Sequence, residues 1–187
     1  AVKNGIQPII GYTASILPYG SEAHNALRQT PDQLLLYAKN ERGYQNLLQI
    51  ASKAYTAPAL ATTPLLGYAT IAEHSDGLIA LSAGIYGGVG RMLLNGRKAE
   101  ATKLLTELHG MFDGRLYIEL MRHKLNEERQ IERAQIDLAL EHNIPLVATN
   151  NIYFKDASIY EAHDALLPRW RKARVWRAGW IGLALAA

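Results

Sequence analysis

Cysteine is absent from the 187 residues. That removes disulfides and thiolate metal sites, and it fits a reducing, cytoplasmic setting. Long hydrophobic runs are missing too. No apolar stretch reaches the roughly 20 residues that cross a bilayer as a helix, so no membrane partner is expected. The opening Ala1-Val2-Lys3-Asn4-Gly5 has no apolar segment behind a basic one and does not read as a secretory signal. Without an initiator Met, it reads as an entry into the middle of a longer protein. Tryptophan is scarce and oddly placed: Trp170, Trp176 and Trp180 are the only three, all within 168–187.

What is present is an ordinary globular balance, with 49% hydrophobic and 20% charged residues. The net charge of +3 comes from the tail. Residues 168–187 hold Arg169, Arg171, Lys172, Arg174 and Arg177 and no acid; without those five the chain has 15 basic against 17 acidic groups, a balance of −2. Basicity made by a short tail is no argument for nucleic-acid binding by the body. The tail's Arg/Trp/Ala/Gly texture fits either a basic amphipathic helix or an out-of-frame translation, and the second reading is preferred. The domain division expected is therefore 1–167 and an aberrant tail, 168–187.

Apolar runs at 8–16, 33–38, 78–82, 115–120 and 145–149 read as strands. Helical spacing marks 43–55, 64–74, 97–111, 126–142 and 156–167, with Asn126 as an N-cap. Alternation of continuous apolar strands with helices predicts an α/β fold with parallel strands and covering helices. Gly87-Gly88-Val89-Gly90 lacks the Lys-Ser/Thr of a phosphate loop, since Arg91-Met92 follows, so a loop needing positive φ is the better reading. The histidines His24, His74, His109, His123, His142 and His163 show no metal-ligand spacing. His74, His109 and His142 fall near helix C-termini, which suits them electrostatically. His163, beside Glu161 and Asp164, reads as helix surface. His123 differs, because it follows a strand end carrying Glu119, where α/β folds gather their chemistry.

Several segments together resemble one family. They are GIQPIIG (5–11), AKNERGYQNL (38–47), SKAY (52–55), GLIALS (77–82), GGVGRMLL (87–94), YIEL (117–120) with Arg122-His123, IPLVATN (144–150) and EAHDALL (161–167). Their order and spacing are similar to the PHP (polymerase and histidinol phosphatase) domain of bacterial DNA polymerase III alpha subunits, of the proteobacterial type. The resemblance implies an incomplete, distorted (βα)7 barrel without its N-terminal ligand motifs. It also implies a place in DNA replication within a DNA-directed DNA polymerase, a nucleotidyltransferase that uses Mg outside this segment. Partners implied are DNA through the whole protein and other holoenzyme subunits, including the proofreading exonuclease. Active PHP domains hold a metal cluster. On this chain the family's ligand positions fall at Thr13, Gln33, Gly84, Asn151 and Tyr153, none a good ligand, and at His123, which is retained. The expectation is a scaffold segment with no catalytic residue, no metal cluster and no cofactor of its own. The alternative is a metal-dependent phosphoesterase or 3′–5′ exonuclease working through His123.

Overall fold

The computed structural model describes residues 2–20, 30–56, 64–152 and 156–162. The strands are β1 (Gly11–Ile16), β2 (Asp32–Ala38), β3 (Leu78–Leu81), β4 (Leu116–Leu120) and β5 (Leu146–Ala148). The helices are α1 (Glu41–Thr56), α2 (Tyr68–Glu73), α3 (Gly88–Leu94), α4 (Lys98–Phe112) and α5 (Asn126–Glu141). The chain divides into two units, Ala1–Thr149 and Asn150–Ala187. The second contains a short 3-10 turn, Ala157–Ile159. The rest of the helix expected at 156–167 from residue 163 onward, His24, and the tail 168–187 lie outside the described residues. Among the described residues no helix is long and apolar enough to cross a membrane.

The sheet order is β1-β2-β3-β4-β5. The α/β class holds, but the strands are not all parallel. β1–β2 and β2–β3 are antiparallel, while β3–β4 and β4–β5 are parallel. The run in β2 gave the misleading signal. Its leucines looked covered on both sides, yet only alternate ones are: Leu34 and Leu36 are buried, whereas Leu35 and Tyr37 are partly exposed. One-sided burial is the habit of antiparallel strands.

That alternation defines two faces. Ala14, Ile16, Leu34, Leu36, Leu78, Ala80, Leu116 and Ile118 lie in one cluster with residues of all five helices, among them Ile50, Ile71, Met92, Leu104, Phe112 and Leu138. Burial of each large side chain of this kind contributes about 1.5–3 kcal/mol. On the opposite face Thr13 pairs with Leu35, Leu35 with Leu81, and Leu81 with Tyr117. Burial along that row is uneven, since Thr13 is exposed, Leu35 and Tyr117 are partly exposed and Leu81 is buried.

The glycine run is a second correction. Gly87, Gly88 and Gly90 do not have positive φ, and α3 begins at Gly88. They are required by close approach instead. A Cβ on Gly87 would lie 1.9 Å from the Ser82 carbonyl oxygen, and one on Gly90 would lie 2.0 Å from that of Gly84. The left-handed residues are just upstream, Ala83 at φ 60° and Gly84 at φ 51°. An L side chain there costs about 1–2 kcal/mol, against a smaller gain in unfolded-state entropy for glycine. Ala83→Gly is therefore expected to raise stability by about 0.5–1 kcal/mol, read as a higher urea midpoint at unchanged slope. An unchanged midpoint would mean that the strain relieved is no greater than the burial lost with the methyl of Ala83, which is 1% exposed.

A third correction concerns α5. Asn126 is its first residue, not its cap; Leu125 takes the cap position with extended backbone. A leucine side chain cannot accept a hydrogen bond, so the capping comes from Glu128. Its carboxylate accepts from the Leu125 N–H at 3.3 Å and the His123 N–H at 2.8 Å. This is the glutamate half of a capping box.

Candidate functional site

Pairing directions bring the start of β2 to the same end of the sheet as the C-terminal ends of β3 and β4. Leu35 of β2 faces Leu81, so Gln33 lies toward the turn that follows β3. The Gly87 Cβ position is 3.2 Å from the Gln33 carbonyl oxygen. Gly84 is buried in the 3-10 turn Gly84–Tyr86, and a Cβ there would meet Met121 Cε at 2.6 Å. Thr13 stands on the same sheet face as Gln33, opposite Leu35, while Ser15 is the residue opposite Gln33. Two of the six family positions, Gln33 and Gly84, thus sit about one sheet end, while Thr13 lies mid-strand on the same face as Gln33. Asn151 is an exposed residue of the second unit, and Tyr153 lies outside the described residues.

His123 follows β4. Its Nδ1 is 2.8 Å from Glu128 Oε1, and its side chain is 30% exposed. Backbone and ring of His123 thus both bind one carboxylate, which also caps α5. His74 and His142 occupy C-cap positions of α2 and α5, and His109 is in the last turn of α4, as their spacing suggested. Glu119 is 2% exposed. Its Oε1 accepts from the Thr149 hydroxyl at 2.5 Å and its N–H donates to Ser82 Oγ at 3.0 Å. Three neighbouring strand ends are stitched together in this way. Among the described residues no three His, Cys, Asp or Glu side chains come together as a cation would need. The side chains at Thr13, Gln33 and Gly84 are a hydroxyl, an amide and a hydrogen. They bring no negative charge, and multivalent cations need carboxylates or thiolates to offset desolvation.

A buried carboxylate with four hydrogen bonds lies next to Gln33, and sequence reasoning missed it. Asp32 opens β2, fully buried. It accepts from Arg91 Nε at 2.6 Å and Nη2 at 3.0 Å, from the Tyr19 N–H at 3.1 Å and from the Tyr68 hydroxyl at 3.3 Å. The Arg91 pKa is raised, chiefly by the hydrogen bond to Asp32. Tyr68 is raised by burial first and then by the Asp32 charge. Tyr19 packs edge-on against Tyr68 at 5.7 Å and donates its hydroxyl to Glu107 at 2.5 Å. Burial and then Glu107 push its pKa up to about 12. The available sequence signal was an aspartate at the edge of an apolar run, with an arginine inside GGVGR.

A raised tyrosine pKa favours the neutral phenol in the fold. The stability it contributes is complete below the ordinary value of 10 and is lost as pH rises through about 12. Ultraviolet titration is expected to show a tyrosine ionising near 12 that disappears in Tyr19→Phe. Persistence of that step in the variant would place it on another residue.

Comparison with known proteins agrees with this architecture. Residues 1–123, more than half of the chain, match the PHP domain family. The chain is 42% identical over 163 residues to the DNA polymerase III subunit alpha of Caulobacter vibrioides, covering 87% of this chain and 14% of that protein. It is 37% identical over 167 residues to that of Rickettsia bellii, covering 89% and 14%. It is 34% identical over 162 residues to that of Vibrio cholerae, covering 86% and 13%. The chain thus spans about one seventh of the length of these relatives, and it belongs to the PHP domain family.

Proposed function

We propose that this chain is a segment of a replicative DNA polymerase III alpha subunit that acts as a non-catalytic PHP scaffold in DNA replication. Nucleotidyl transfer, with its Mg, belongs to parts of the polymerase outside these residues. So does contact with DNA. In the complete protein the sheet forms part of a distorted (βα)7 barrel in the cytoplasm, and its outer surface supports other holoenzyme subunits, the proofreading exonuclease among them. The observation that carries the reading is the exchange of ligand types at Thr13, Gln33 and Gly84, with His123 bonded to the Glu128 carboxylate that caps α5. A domain that keeps its core while its ligand positions turn neutral keeps the selection for shape without that for metal.

Elemental analysis of the purified, complete alpha subunit tests it. Manganese and zinc are expected well below one per chain. Either metal near stoichiometry would favour the phosphoesterase or 3′–5′ exonuclease reading through His123. Docking is tested by reversing two exposed charges on α5, Arg129→Glu with Arg133→Glu. Pull-down of the exonuclease subunit is expected to weaken, and unchanged capture would remove this face from the scaffold role.

A further inference from the structure

We draw no further inference here: the strongest candidate, the buried Glu119 carboxylate at the strand ends beside Thr149 and Ser82, keeps Oε2 without a hydrogen-bond partner among the described residues, but nothing in the structure shows what would meet that oxygen.

Discussion

Asp32→Ala is expected to destabilise the domain by about 3–5 kcal/mol, the cost of leaving one partner of a buried pair without its counter-charge. Asp32 is fully buried, and the Arg91 side chain is 22% exposed. That partial exposure lets water recover some of the arginine's solvation, so the lower end, about 3 kcal/mol, is the better figure. The loss is not confined to the ion pair. Tyr19 N–H and Tyr68 hydroxyl lose their acceptor as well, and each unsatisfied buried donor costs about 1–3 kcal/mol before relaxation. Urea denaturation followed by proteolysis reads the effect as a shifted midpoint. The double variant Asp32→Leu, Arg91→Met is the sharper test. Replacing both charges with apolar groups of similar size is expected to recover most of the loss. Additive losses would show that the two side chains are not energetically coupled.

This network also marks how much could be read from the chain. The apolar runs and helical spacings located all five strands and four of the five helices of the described residues, because period and burial are local properties, while α3 begins where the glycine run reads as a loop. Strand direction was not local. Leu34-Leu35-Leu36 is the same string whether one face is covered or two, and only the neighbours decide. Asn126 had the composition of a cap, but Glu128 made the contact through its reach to Leu125 and His123. At the candidate site the family resemblance singled out Thr13, Gln33, Gly84 and His123, which the fold places on or just after strands of the sheet. It could not show that Glu128 binds the ring of His123, or that Glu119 spans to Thr149 thirty residues away. Such pairs depend on which strand ends meet, and that becomes legible only from the register.

The GGVGR segment gives the second large effect, and it can be tested with a pair of opposite signs. Gly90→Ala is expected to cost about 3 kcal/mol or more, the upper range for forcing an atom into a packed site. Its new Cβ would lie 2.0 Å from the Gly84 carbonyl oxygen and 3.0 Å from Ile85 Cα, both backbone atoms that cannot rotate aside. The first turn of α3 would have to move off the Gly84–Tyr86 turn, carrying Arg91 away from Asp32. Gly110→Ala in α4 is the control. Apart from its chain neighbours and its own helix backbone, no atom of the described residues lies within 4 Å of its Cβ position, and its φ is not positive. Alanine there is expected to add about 0.5–1 kcal/mol through helix propensity alone. Both variants are helical Gly→Ala changes, so propensity favours both equally, and any difference between their urea midpoints measures the contact. A Gly90→Ala protein as stable as the Gly110→Ala one would mean that the α3 turn yields freely, and close approach would no longer explain the glycines at 87, 88 and 90.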